Sequence, residues 1–396
     1  MQHNRKRLRK KNDKIDRQFI SLVFILLLFG LFMVYESSNV FSLNDFGFKY
    51  KFVVLQFSWM LIGCIGMFFL SIINLDFLKR SSKFLFISMI VLLLFTLLPT
   101  IFTPEVYGAR RWFVLNPSPF PIIPGIGRVS FQPSELAKLI SIIFLAALLG
   151  LKRIGKGVKK YKKEEFGKLI VVVGAIFTVV IPIVLEPDFT TAFIVLVVLF
   201  GMYLLAGAPL KYLITGIPAI LTAAGLYAFS SEYRRLRIMT LFNPESTDFQ
   251  GAGYHIRQIM ISLGSGGFFG LGAGMSRQKY FYLPEPTSDS IFAIVGEEFG
   301  FLGASLLILI FAMLVMRGFY IGKNAKDLFQ KYLVYGIMLW FSVQLLINLG
   351  VMGRLLPVTG VPLPLISYGG SSMIFILFAF GLVLNVSRYA KLDSND

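Results

Sequence analysis

Ten stretches of the chain are long, apolar and nearly free of charge. They lie at about 19–36, 52–73, 84–102, 134–151, 169–186, 190–207, 212–229, 291–315, 332–352 and 371–388. Each is close to the ~20 residues that a helix needs to cross a bilayer. The pattern predicts an all-α polytopic membrane protein with ten transmembrane helices. Only EPDF separates the fifth run from the sixth, and Pro187 between Glu186 and Asp188 predicts a break there. The runs organise the chain as a basic tail (1–18), one ten-span membrane domain (19–388) and a short tail (389–396).

The polar positions between runs give an orientation. Residues 1–17 carry eight Lys/Arg and two Asp. Lys79, Arg80 and Lys83 follow the second run, and eight basic residues lie between Lys152 and Lys168. Lys211, Arg317, Lys323, Lys326, Lys331, Arg388 and Lys391 complete the set. With ten spans all of these share one side, which the positive-inside bias makes cytoplasmic, with both termini inside. The first run has no small-residue cleavage site after it and is expected to remain as an anchor. The other side receives 37–51, 103–133, the EPDF turn, 230–290 and 353–370. The 230–290 connection, between the seventh and eighth runs, is long, and long loops carry function disproportionately.

Composition agrees with this picture and closes off others. Of 396 residues, 56% are hydrophobic and 15% charged, whereas a soluble domain has about 25% charged residues. The net charge of +18 would point to nucleic acid in a soluble protein, but no soluble domain remains to bind it. Cys64 is the single cysteine, so neither an internal disulfide nor a cysteine metal site is available. His3 and His255 have no ligand-type neighbours in sequence, which argues against a histidine metal site. The chain has no phosphate-cradling glycine loop followed by Lys-Ser/Thr, and no organic cofactor is expected.

Five outer segments carry chemistry-bearing residues. In VYGARRWFVL, Arg110 and Arg111 stand beside Trp112. They read either as an interfacial belt or as a phosphate clamp. In FQPSELAKL, Pro133 opens a helix and places Glu135 and Lys138 on one face. That pair is either a bundle-stabilising ion pair or part of a polar cavity. In LEPDFTTA, Asp188 is a helix cap or a functional carboxylate. The fourth segment, 250–303, is crowded with glycine and predicts tight turns with a re-entrant or surface packing element. It holds Lys279, places Asp289 at the outer mouth of the eighth span, and puts Glu297 and Glu298 about two turns deeper. The fifth, NLGVMGRLLPVTGVPLPLISYGGSS, cannot continue a helix through its prolines and predicts a non-helical cavity wall.

Taken together, GARRW, QPSELAK, EPDFTT, YLPEPTSDSIFAIVGEE and LPVTGVPLPLISYGGSS resemble the SEDS family of FtsW, RodA and SpoVE, in order and on one inferred face. The SRQK-x-x-YLPE stretch and the YGGSS ending are nearest the FtsW branch. The resemblance implies a ten-span peptidoglycan glycosyltransferase of the bacterial cytoplasmic membrane. It would polymerise lipid II on the extracytoplasmic face during division or shape maintenance. The family's essential acidic residue falls on Asp289, its Glu and Lys on Glu135 and Lys138, and its arginine-tryptophan segment on Arg110, Arg111 and Trp112. The resemblance also implies a divalent cation, Mg²⁺ or Mn²⁺, with no ligands named. The implied partners are lipid II, the nascent glycan strand, a class B penicillin-binding protein and other divisome or elongasome proteins. Two departures stand out. Ser290 occupies an aromatic position of the family pattern, and FVLNPSPFPIIPGIGRVS is a longer, proline-rich insert.

In this reading Asp289 is the general base for the acceptor sugar's 4-hydroxyl. The leaving pyrophosphate is stabilised by Arg110, Arg111, Lys138 or a divalent ion. Asp188, Lys279 and Glu298 join the candidate substrate contacts. A lipid II flippase and a non-catalytic scaffold for a penicillin-binding protein are the competing functions. An Asp at the outer mouth fits catalysis at that face better than carriage through the bilayer.

Overall fold

In the computed structural model, the structure describes residues 15–106, 108–121, 127–150, 158–208, 239 and 251–390. It is mostly helical. In chain order the helices are α1 (Arg17–Phe46), α2 (Lys51–Ile72), α3 (Leu75–Thr96), α4 (Pro133–Leu149) and α5 (Val158–Leu185). They continue with α6 (Phe189–Leu205), α7 (Ala252–Gly266), α8 (Ile291–Lys323), α9 (Leu328–Met352) and α10 (Gly370–Ser387). Nine of the ten apolar runs correspond to helices. The seventh, 212–229, lies outside the described residues.

Local chemistry sets the helix starts. Asp16 accepts from the Phe19 amide at 2.8 Å to open α1, and Asn74 caps α3. Pro133 occupies the first turn of α4, and Asp327 caps α9 through the Gln330 amide. Two expectations shift. α3 begins at Leu75 rather than near 84, so Lys79, Arg80 and Lys83 sit on a helix, not in a connection. The cause is the Asn74 cap, which outranks the charge interruption. α1 runs on to Phe46, so most of the expected outer loop at 37–51 is helix.

Five described helices, α1, α2, α8, α9 and α10, are long and apolar enough to cross a membrane. Burial sorts them. The most apolar window of α10 is 78% buried and that of α9 67%, against 22% for α2 and α8. α9 and α10 therefore form the centre, and α2 and α8 present apolar faces outward, as a bilayer requires. α2 packs on α10 along most of its length. There the backbones meet at Gly381, where a Cβ would lie 2.8 Å from the Met67 Cα; small residues allow such approaches between apolar helices.

α8 is broken near its N-terminal end. Gly300 adopts φ 66°, ψ −165°. The segment after α7 fills the gap. The amides of Leu271 and Gly272 donate to the Glu297 and Glu298 carbonyls, both at 2.9 Å. In return, the Phe301 and Leu302 amides donate to the Gly267 and Phe268 carbonyls at 2.9 and 3.1 Å. Four backbone groups released by the break thus regain partners, as buried polar groups must. The expected glycine-rich turns are present at 267–290, while the fifteen-residue helix α7 in front of them escaped the sequence reading. A two-stranded antiparallel ribbon, β1 (Phe113–Val114) and β2 (Ser130–Phe131), closes the proline-rich insert. Asn116 knits it, accepting from the Val129 amide at 2.7 Å.

Candidate functional site

Asp289 stands two residues before α8 and is 8% exposed. Its position is set by the segment 353–369; the non-helical wall was expected over 348–372, but 348–352 finish α9 and 370–372 begin α10. Tyr368 N donates to the Thr287 carbonyl at 2.8 Å, and Ser367 Oγ donates to the Ser288 carbonyl. Asn348 Nδ2, from α9, donates to the Asp289 carbonyl and to the Val361 carbonyl, each at 2.8 Å. Ser288 Oγ donates to Asp289 Oδ1 at 3.4 Å, and Oδ2 faces Gly360. From the opposite side Gln56 of α2 donates to the Ser367 carbonyl at 3.0 Å. His255 of α7 meets Ser290 Oγ at 2.6 Å, which docks α7 beside the same turn. The carboxylate is thus carried on a segment braced from α2, α7 and α9.

Glu135 and Lys138 form an ion pair, one of the two readings their spacing allowed, with Nζ 2.6 Å from Oε1 and both side chains at least nine-tenths buried. Lys138 Nζ also donates to Gln344 Oε1 at 3.3 Å and lies 5.1 Å from the Trp340 ring centroid. Gln344 accepts a second bond from Trp340 Nε1 at 3.0 Å. Its Nε2 reaches the Pro362 carbonyl and Ser372 Oγ, both at 3.3 Å. The ion pair is therefore tied, through one amide, to the 353–369 segment that packs on the turn carrying Asp289.

Asp188 caps α6 through the Thr191 amide at 3.2 Å. Its other oxygen accepts from Gln132 Nε2 at 2.6 Å and Ser134 Oγ at 3.3 Å. The Gln132 amide in turn donates to Ser371 Oγ, so Asp188 joins the same neighbourhood. Arg111 braces the backbone of the EPDF turn. Its Nε donates to the Glu186 carbonyl at 3.0 Å and its Nη2 to the Pro187 carbonyl at 2.5 Å. Arg110 pairs with Glu105 at 3.0 Å on the surface. Trp112 is half-buried beside them. Lys279 joins Glu298 and Glu36, each at 3.2 Å, and the Gly274 carbonyl at 2.7 Å. Among the described residues no hydrogen bond links that knot, or Arg110, to the Asp289 neighbourhood. Glu297 serves the helix break, accepting from Ser276 Oγ at 2.5 Å and the Arg277 amide at 3.0 Å.

Glu186 lies just beyond the end of α5, in the turn, and is 1% exposed. Thr96 Oγ1 shares its one proton between the Leu93 carbonyl, at 2.6 Å, and Glu186 Oε1. Burial pushes the Glu186 carboxyl up to about 8; Asp188 adds to this, while Thr96 and Arg111 oppose it. The folded protein therefore keeps a proton that an unfolded glutamate gives up from about pH 4.5. Stability falls as pH rises from 4.5 to about 8 and is flat beyond. Glu186→Gln holds the neutral form, so its thermal midpoint should match wild type near pH 4.5 and exceed it increasingly up to pH 8. Melting curves in detergent across this window check the expectation; parallel curves would refute it.

Sequence reading missed Asn348, Gln344 and Gln56. The signal was present for two of them, since polar amides four apart in the apolar run 332–352 lie on one helical face. Among the described residues, no three His, Cys, Asp or Glu side chains come together in a way that could hold a metal ion. Among the described residues, the donors therefore do not form a cage for a divalent cation.

A family model described as cell cycle protein, named for FtsW, RodA and SpoVE, matches residues 16–392. Stage V sporulation protein E of Bacillus subtilis is 36% identical over 384 residues, covering 96% of this chain and 99% of its own length. A probable peptidoglycan glycosyltransferase FtsW of Coxiella burnetii is 34% identical, covering 94% of this chain and 96% of its own length. Among solved structures, a chain from work on the structural coordination of polymerization and crosslinking by a peptidoglycan synthase complex superposes with a TM-score of 0.74. It is 26% identical and covers 94% of this chain and 98% of its own. The rod shape determining protein RodA of Thermus thermophilus gives a TM-score of 0.66 at 25% identity, over 96% of this chain and 98% of its own.

Proposed function

The chain belongs to the FtsW, RodA and SpoVE family of cell cycle proteins, and on that footing we propose that it is a peptidoglycan glycosyltransferase that polymerises lipid II into glycan strands. One observation carries the reading furthest. A buried carboxylate, Asp289, is held by α2, α7 and α9 at the meeting of the outer loops, with a buried Glu135–Lys138 pair tied through Gln344 to the 353–369 segment packed against it.

The chemistry follows from the parts. Asp289 takes the proton of the acceptor sugar's 4-hydroxyl as that oxygen attacks the anomeric carbon of the donor. The bond to the lipid pyrophosphate breaks, and negative charge develops on the leaving group. Lys138 is the buried cation best placed to answer that charge, once Glu135 shares it with the substrate. Arg111 shapes the EPDF turn through Nε and Nη2, and the other N–H groups of its guanidinium remain available to the pyrophosphate. No step is assigned to a protein-held metal. In our reading Mg²⁺ or Mn²⁺ reaches the site on the pyrophosphate oxygens, which need few protein ligands.

We place the protein in the cytoplasmic membrane with ten spans, both termini inside and the Asp289 site on the outer face, from the charge asymmetry of its connections. A class B penicillin-binding protein is the proposed partner, supported by the likeness to a chain from a peptidoglycan synthase complex. The test is lipid II polymerisation by purified protein in detergent, with and without a divalent ion and the partner. Flipping needs a sealed membrane and polymerisation does not. Glycan strands in detergent establish the polymerase; well-folded protein that makes none under any condition overturns the reading.

A further inference from the structure

Two amides on α9 have no part in the chemistry above, yet each touches a residue that has. Gln344 and Asn348 are four apart, so they face the same way. Both are 1% exposed. Their orientation is fixed by the partners rather than by choice. Lys138 and Trp340 only donate, so the oxygen of Gln344 faces them; Pro362 presents a carbonyl, so the nitrogen faces it. Asn348 meets two carbonyls, Asp289 and Val361, so its nitrogen is likewise fixed. The two side chains thus grip neighbouring residues, Val361 and Pro362, of the segment packed on Asp289. One also holds the lysine, the other the backbone of the aspartate.

We propose that Gln344 and Asn348 are positioning residues that set, from one face of α9, the separation between the Asp289 carboxylate and the Glu135–Lys138 pair. The proposal rests on the polymerase reading of that site. Asn348 Oδ1 is buried with no partner among the described residues. An orphaned acceptor of this kind costs stability, and a leucine of similar size would remove it. A leucine would also leave the Asp289 and Val361 carbonyls without this donor, so what the asparagine contributes here is its nitrogen, which joins those two carbonyls. Catalytic groups need placement far tighter than folding does, because small displacements of reacting atoms lose large factors in rate.

The experiment compares wild type, Asp289→Ala, Asn348→Leu, Asn348→Asp and Gln344→Leu in the detergent polymerisation assay. Rates are taken per folded molecule, measured by size-exclusion chromatography. Asn348→Leu should lower kcat about 10- to 100-fold and leave KM within about twofold, as expected for a group that acts only at the transition state. Asn348→Asp adds a carboxylate beside Asp289, so the acid limb of its pH–rate profile should move to higher pH. Gln344→Leu should lower kcat without that displacement. A purely structural role predicts less folded protein with wild-type kcat and an unmoved pH profile, and that result overturns the proposal. Failure of both Asn348 variants to fold also overturns it in favour of the structural role. Silence of wild type itself would refute the polymerase reading instead, so the two failures are told apart.

Discussion

Asp289→Asn protein folds, purifies and melts like wild type but makes glycan strands at least about 100-fold more slowly, and Asp289→Ala does the same. The expectation rests on how the residue is held. What α9 grips is the Asp289 carbonyl, through Asn348, and what the 353–369 segment grips is the backbone of Thr287 and Ser288. None of these bonds needs the carboxylate. The amide of asparagine has the same shape, so placement survives and only basicity is removed. General base catalysis typically contributes 10²–10⁴-fold, which sets the size of the loss. Strand length and amount on a gel, beside the thermal midpoint, check it. An asparagine variant with wild-type turnover would strip Asp289 of its role.

Gly300→Ala should do the opposite and remove the protein rather than the chemistry. At φ 66°, ψ −165° the residue occupies a region essentially restricted to glycine, at a cost on the order of 1–3 kcal/mol for any other residue. Space is also missing. A Cβ would overlap the Gly270 amide nitrogen and lie 2.7 Å from the carbonyl of Phe268, and these are backbone atoms that cannot swing aside. Relief would require opening the four hydrogen bonds that close the break. Folded yield in membranes should fall severely, and activity per folded molecule should change little. Gly174→Ala is the control: a Cβ there meets nothing within 4 Å, and alanine in a helix is favoured over glycine by about 1 kcal/mol. Equal yields from the two variants would refute the account.

Much of this was legible in the sequence. Nine apolar runs were found where helices stand, because a bilayer imposes both length and composition on a span. The break at Pro187 and the central part, 353–369, of the non-helical wall expected over 348–372 were legible for the same reason, since proline is unambiguous in an apolar run. Spacing put Glu135 and Lys138 on one helical face but left open whether they pair or line a cavity. What stayed hidden depended on tertiary partners. Arg111 looked like an anion clamp alone until its carbonyl partners came into view. Lys279 looked like a substrate contact, and nothing local announced Glu36, far away on α1. The helix α7 was missed because glycines at its end read as loop. The amides of α9 were overlooked because a lone Asn or Gln among apolar residues has no signature until its partners are known.

The interrupted helix has a consequence for how the chain is made. The segment 267–272 leaves the ribosome before α8 does, and it carries unpaired backbone groups until Glu297–Leu302 arrives to match them. The joint is therefore closed between near neighbours in sequence, soon after the first turns of α8 are synthesised, and needs no distant helix. Low contact order of this kind favours early, fast pairing. The turn that bears Asp289 lies between the two halves of that joint, so it is looped out and fixed at its base before α9 and α10 come to brace it.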